Sequence, residues 1–136
     1  MKIYLAFTVL GDRSKLETAR HLTVLLQARG HKVLTTHLLS RNVLDEEAAH
    51  SAEFIFERDM RWIKEADALI AEVTKTGFGV GFEAGYAIAS KKVFLLYDES
   101  LKESVSRMAR GCTLKNCTRV PYSSMQDINA FVEKYF

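Results

Sequence analysis

Residues 66–96, ADALIAEVTKTGFGVGFEAGYAIASKKVFLL, do most to restrict what this chain can become. An apolar run over residues 68–73 leads into Gly77, Gly79 and Gly81. Glu83 follows at once, and a small-residue segment ends in a second apolar run over residues 93–96. The order is strand, glycine turn, helix, strand. Near-continuous apolar strands alternating with helices need cover on both faces, which a parallel sheet between helix layers provides. Glycine lets the backbone turn tightly and approach a bound group, and free amides at the next helix start favour an anion. The segment predicts a carboxylate beside an anion-binding turn, the arrangement that a sugar phosphate or nucleotide site requires.

The same alternation runs through the chain. Strands are expected over residues 2–7, 32–36, 68–73, 93–97 and 118–122. Helices are expected from Ser14 as cap to Ala28 with Gly30 as the stop, from near Asp45 to Glu65, and from the glycine turn to Ser90. Two more are expected over 101–110 and 126–135. There is no repeat, low-complexity tract or linker, and Pro121 marks no boundary, so residues 1–136 read as a single domain. The expected fold class is α/β: a doubly wound, five-stranded parallel sheet in order 2-1-3-4-5. Ligands then bind beyond the carboxyl ends of the strands, at the switch point between strands 1 and 3. That gathers residues 7–13, His37, residues 74–83 and Asp98 at one edge.

Nineteen basic against 17 acidic residues leave a net charge of +2, which gives no pull toward nucleic acid polymers or membrane surfaces. The longest apolar runs are too short to span a bilayer. The opening MKIYLAFTVLGD has no small-residue cleavage site and is expected to be a buried first strand. Cys112 and Cys117 form a lone C-x4-C with little histidine nearby, which points to two reduced structural thiols in a cytoplasmic protein. No metal or redox cofactor is expected.

The glycines do not form the dinucleotide G-x-G-x-x-G, nor a Walker loop, which would need G-K-[ST]. A ligand-free turn explains them as well as an anion site does. Glu83 is expected in the first helical turn, where the helix dipole favours any acid; alternatively it is a nucleophile or base aimed into the crevice. Asp59 falls in the middle of the apolar stripe Ile55, Trp62, Ile63 and Ala66. A carboxylate facing the core needs a partner, Arg58 or Arg61, or a cavity to line. His37 ends strand 2 near the same crevice, Tyr4 lies within strand 1, and Glu72 near the end of strand 3 is expected to support Tyr4 or a loop amide. Two acids from separate segments at one crevice suit glycosidic bond cleavage, in which one attacks or stabilises the anomeric carbon and the other handles a proton. In that scheme Glu83 is ionised and Asp59, desolvated, keeps a raised pKa and donates.

The motifs ERDMRW (residues 57–62), EADALIAEVT (65–74), GVGFEAGYA (79–87), MARG (108–111) and the ending EKYF (133–136) resemble the nucleoside 2-deoxyribosyltransferase superfamily, and within it the 2′-deoxynucleoside 5′-phosphate N-hydrolases. The resemblance covers nearly the whole chain. It implies a flavodoxin-like fold, usually dimeric, acting on a nucleoside 5′-monophosphate. It implies Glu83 as nucleophile, Asp59 assisting departure of the base, and Tyr4 positioning the glutamate. It further implies His37 near the nucleobase, Gly79 and Gly81 near the phosphate, and Ser106 contributed to phosphate binding by the neighbouring subunit of a homodimer. The family's G-S-I-R-G-G segment after strand 1 is replaced here by residues 7–12. Phe7 stands where a small residue is usual and narrows the pocket, Leu10 stands at the arginine position with Arg13 nearby, and Gly77 stands where a serine usually precedes the turn. The expected activity is hydrolysis of an N-glycosidic bond. The alternatives are base exchange between nucleosides and a non-catalytic nucleotide-binding module. Asn129 does not match the transferases' partner-supplied asparagine.

Overall fold

The computed structural model describes residues 1–136, and their strands form one five-stranded sheet. These are β1 (Lys2–Ala6), β2 (Lys32–Val33), β3 (Ala68–Glu72), β4 (Lys92–Asp98) and β5 (Cys117–Tyr122). All pairings are parallel and the order is β2-β1-β3-β4-β5, as the alternation of apolar runs and helices requires. Tyr4 pairs with Leu69 and Ile70 with Phe94, so the middle of the sheet is buried on both sides. Pro121, which has no N–H to donate, is tolerated because β5 is an edge strand.

Side chains alternate across the strands and divide the core in two. Ile3, Leu5, Ile70, Phe94 and Leu96 pack beneath α1 (Leu16–Ala28) and α6 (Met125–Tyr135). Tyr4, Ala6, Leu69, Ala71 and Leu95 pack beneath α3 (Ala52–Glu65) and α4 (Phe78–Ala87). Leu22, Leu26, Ile63 and Ile128 are fully buried at these contacts. Each such side chain contributes roughly 1.5–3 kcal/mol by leaving water. α1 ends where Gly30 takes φ +80°, and α6 begins in a capping box of Ser124 and Asp127. No helix is long and apolar enough to cross a membrane.

Several element boundaries differ from expectation, each for a local reason. Ser14 does not cap α1; its amide donates to Asp12 Oδ1, and the helix begins at Leu16. Strand 2 stops at Val33, because the Thr35 hydroxyl accepts from Leu5 N (3.1 Å) and donates to Leu5 O (2.7 Å). A side chain thereby occupies the backbone positions that a longer strand would have used, and Thr36–Leu39 turns into a 3-10 helix. The helix expected from Asp45 to Glu65 is two, α2 (Val43–Ala48) and α3, because Ser51 caps a new start by accepting from Phe54 N. The helix expected over 101–110 is a 3-10 segment (Glu99–Ser104) and the short α5 (Arg107–Arg110). Between them Val105 turns extended and is buried.

Thr35→Val keeps the shape and removes both bonds to Leu5. In urea denaturation it should cost about 1–3 kcal/mol with an unchanged m-value; a variant as stable as wild type would show that those bonds do not hold the β1 edge.

Candidate active site

The loop after β1, helices α2 and α3, and the start of α4 enclose a cavity. Phe7, Thr8, Gly77 and Gly79 line it together with Glu47, Ile55, Asp59 and Glu83. Carboxyls from α2, α3 and α4 therefore meet in one space, although they are up to 36 positions apart in sequence (47 to 83).

Glu83 lies in the second turn of α4, not the first, since the helix begins at Phe78. The helix-dipole explanation weakens there, because the effect fades within a turn. What holds Glu83 is Tyr4, whose hydroxyl donates to Glu83 Oε1 at 2.8 Å. Burial pushes the Glu83 pKa up to about 7; the Tyr4 bond opposes the rise and the nearby Asp59 charge adds to it. Tyr4 itself is completely buried, and burial together with Glu83 holds its pKa far above the ordinary phenol value. It is a fixed donor.

Asp59 sits where the sequence stripe puts it, lining the cavity and bonded to Arg58, one of the two partners expected for a carboxylate there. Arg58 Nε donates to Asp59 Oδ1 at 2.9 Å, while its two terminal nitrogens donate to the Glu47 carboxylate at 2.8 and 3.1 Å. The buried Arg58 guanidinium lies over the Trp62 ring. Burial works against its charge, and the bonds to Glu47 and Asp59 more than offset that. Glu47 is likewise held below its usual pKa, its own burial being outweighed by Arg58. Among the carboxyls lining the cavity, Glu83, expected to be ionised, is the one with no cation bonded to it, and burial raises its pKa.

His37 is not among the residues lining the cavity. It sits on the 3-10 turn after β2 with its ring 5.3 Å from Trp62. Burial and Arg58 lower its pKa, and its buried Nε2 makes no well-formed hydrogen bond but lies 3.4 Å from Glu47 Oε1. Gly81 faces away from the cavity, alongside Phe78, Phe82, Gly85 and Tyr86. Gly79 lies inside α4 and Gly77 is its cap, so the expected turn is Gly77 and the residues before it. Ser106 precedes α5, exposed and outside this chain's cavity. Glu72 supports a loop amide and not Tyr4: it accepts from Thr74 N, the Thr74 hydroxyl and Tyr122 Oη.

Sequence reasoning did not single out Glu47 or Gly11. Glu47 carried no signal beyond its helix; its role depends on an ion pair with Arg58, eleven positions on. Gly11 closes the loop after β1: its amide donates to Thr8 Oγ1, and a Cβ there would stand 2.4 Å from that oxygen. Arg13 secures the same loop by donating to the carbonyls of Thr8, Leu38 and Ser40. It is thereby committed and does not replace the arginine missing at Leu10.

The family model for nucleoside 2-deoxyribosyltransferases matches residues 3–120. The chain belongs to this family. It is 43% identical to "Putative 2′-deoxynucleoside 5′-phosphate N-hydrolase 1" of Thermofilum pendens, over 98% of this chain and 92% of that one. It is 32% identical to the 5-hydroxymethyl-dUMP N-hydrolase of Esox lucius, over 100% of this chain and 96% of that one. Among solved structures, the CMP N-glycosidase of Clostridium botulinum superposes with a TM-score of 0.73 at 24% identity, covering both chains completely, and shares the fold.

Glu83→Gln tests the strained carboxyl without reference to any reaction. The folded-state pKa of Glu83 lies above its unfolded value near 4.5, so its contribution to stability is intact below that value and is lost as pH rises through about 7. Relative to wild type, the amide should therefore gain about 1–3 kcal/mol between pH 4.5 and pH 8. Chemical denaturation at the two pH values reads the difference; a pH-independent offset would mean that Glu83 titrates normally.

Proposed function

We propose that this protein hydrolyses the N-glycosidic bond of a nucleoside 5′-monophosphate, releasing the free base and a ribose or deoxyribose 5-phosphate. The observation that carries this reading is the pair Glu83 and Asp59 lining one cavity, with Tyr4 holding Glu83 by one oxygen. The named activities of the Thermofilum and Esox relatives support it.

In this scheme Glu83 Oε2 attacks the anomeric carbon as the carbon–nitrogen bond breaks, and the bonding pair leaves with the base. The base takes a proton from water. The hydroxide so formed attacks the anomeric carbon, breaks the glycosyl ester and returns Glu83 as a carboxylate. Tyr4 keeps Oε1 hydrogen-bonded and so fixes which oxygen attacks. Asp59, ion-paired with Arg58, serves by accepting hydrogen bonds from the base or from the attacking water, not by donating a proton. Phe7, Gly77 and Gly79, which line the cavity, confine the sugar and its phosphate, with Phe7 narrowing the space. His37 acts only through Trp62 and the Arg58 cluster, and Ser106 reaches a site only from a second subunit.

Incubation with nucleoside 5′-monophosphates and chromatography of the products tests the reading. Free base should appear, and Glu83→Ala should reduce its rate by on the order of 10³-fold or more. Because the nucleophile must be ionised, kcat/KM should rise with pH through about 7. Tyr4→Phe, which removes a bond favouring the ionised form, should move that rise upward by about one pH unit. No release of base from any monophosphate sinks the hydrolase. A new nucleoside formed on adding a second free base shifts the assignment to base exchange.

A further inference from the structure

The cavity has two kinds of wall. The loop after β1 and the start of α4 bring Thr8, Gly11, Gly77 and Gly79, which carry no charge and offer backbone amides of the sort that favour an anion. The 3-10 turn, α2 and α3 bring Leu38, Leu44 and Ile55 together with the carboxyls of Glu47 and Asp59. Glu83 of α4 completes the lining. With the anomeric carbon at Glu83, the phosphate and the base of a nucleotide go to different walls. A phosphate dianion is repelled by Glu47 and Asp59 and takes the uncharged wall. The neutral base is left with the wall of α2 and α3, whose apolar side chains suit its faces.

What that wall offers to the edge of a base is one-sided. Apart from the three carboxyls, Thr8 is the only lining residue with a polar side chain, and its hydroxyl lies on the other wall, accepting from Gly11 N at 2.9 Å. Carboxylates accept hydrogen bonds and donate none. Arg58, the donor beside them, is fully occupied. Nε bonds Asp59, the two terminal nitrogens bond Glu47, and the guanidinium lies over Trp62.

Asp59 is held by one oxygen only. Oδ1 accepts from Arg58, while Oδ2 accepts no bond from the protein and is not sealed off as a buried unpaired atom. Because Oδ1 is tied, the carboxylate cannot turn to withdraw Oδ2 from the cavity. An acceptor fixed before any ligand arrives discriminates strongly, since a ligand lacking the donor leaves it unpaired.

Bases of one size and shape differ at this point. Cytosine and adenine carry an exocyclic amine where uracil and hypoxanthine carry a carbonyl oxygen. The amine donates to a carboxylate, the pairing by which Asp and Glu read cytosine in duplex DNA. A carbonyl oxygen in the same place repels the carboxylate and leaves both groups without a partner.

We propose that Asp59 Oδ2, with Glu47 adding negative potential beside it, selects nucleoside monophosphates whose base carries an exocyclic amine over those with a carbonyl oxygen in its place. The selection rests on the nucleotide reading above, and its test separates the two.

Binding to Glu83→Ala, which lacks the attacking carboxylate, reads the preference apart from the leaving tendencies of the bases. In calorimetric titration CMP should bind roughly tenfold or more tightly than UMP, and AMP than IMP, the effect of one charge-assisted hydrogen bond. Adding Asp59→Asn to that chain, whose amide can turn either a donor or an acceptor to the base, should bring each ratio to within about twofold. Adding Thr8→Val instead should leave the ratios standing even where all four affinities fall. A ratio taken within one variant is insensitive to a general loss of affinity or of folded protein. The KM ratios of wild type give the same reading where binding to the variant is too weak to measure. Equal affinities within each pair, a preference that survives Asp59→Asn, or one that Thr8→Val abolishes overturns the proposal while base release by wild type still stands. Absence of base release by wild type from any monophosphate defeats the nucleotide reading instead.

Discussion

The hydroxyl of Tyr4, buried in the middle of the sheet, reaches Glu83 on the helix above, and the geometry of the site depends on that bond. Glu83 stands one turn too far along α4 to be stabilised by the helix start, and burial favours its neutral form. Tyr4 is the only direct hydrogen-bond donor to it. Its own ionisation is suppressed by burial, so it can only donate. The bond exists because β1 lies beside β3 and α4 crosses over both, which is the 2-1-3-4 part of the sheet order. Topology and chemistry are joined at that oxygen.

Around this bond the molecule solves a problem of like charge. Three carboxyls converge on one cavity, where low dielectric would make them repel strongly. Arg58 removes two from the conflict by binding Glu47 with both terminal nitrogens and Asp59 with Nε. Its desolvation is offset by those three bonds and by the Trp62 face. Glu83 is left without a bonded cation; burial is the chief cause of its raised pKa, and the Asp59 charge adds to the rise. The carboxyls thus come to differ in character through what each is bonded to, and one ion-paired acid beside one poised near neutrality is the kind of separation that acid–base assignments rest on.

The sheet order, the helix layers and the meeting of Asp59 with Glu83 were legible because they follow from periodicity. Apolar runs of strand length alternating with helices leave few topologies, and an acid in the middle of an apolar helical stripe must face inward. What was not legible depends on side chains acting outside any period. Thr35 ends β2 by bonding Leu5, thirty positions away, and Glu47 finds Arg58 only after the chain has turned between α2 and α3. His37 was itself expected at the crevice edge, but its neighbour Leu38 lines the cavity while His37 packs on Trp62 beside Glu47. For Asp59 the sequence offered a partner, Arg58 or Arg61, or a cavity; the structure supplies both, the Arg58 bond and the cavity lining, and only the simultaneous hold of Arg58 on Glu47 was out of reach.

The two faces of the sheet are finished differently, and the difference bears on function. On the α1 and α6 side, Phe94, Phe131, Tyr135 and Phe136 close on one another in edge and tilted contacts. On the α3 and α4 side the aromatics Phe56, Phe78 and Phe82 contact each other at the surface instead. The α3 and α4 side thus keeps a contiguous exposed apolar surface that the α1 and α6 side lacks. The helix that carries this surface also carries Glu83. Any movement or covering of α4 is felt one turn away at the Tyr4 bond, and a body lying on its outer face would also exclude water from the cavity mouth. In water-poor surroundings a carboxylate held by a single donor interacts more strongly with charge than it would in an open cleft. Placing the reactive acid and the apolar face on one short helix therefore makes the strength of the site depend on what covers it.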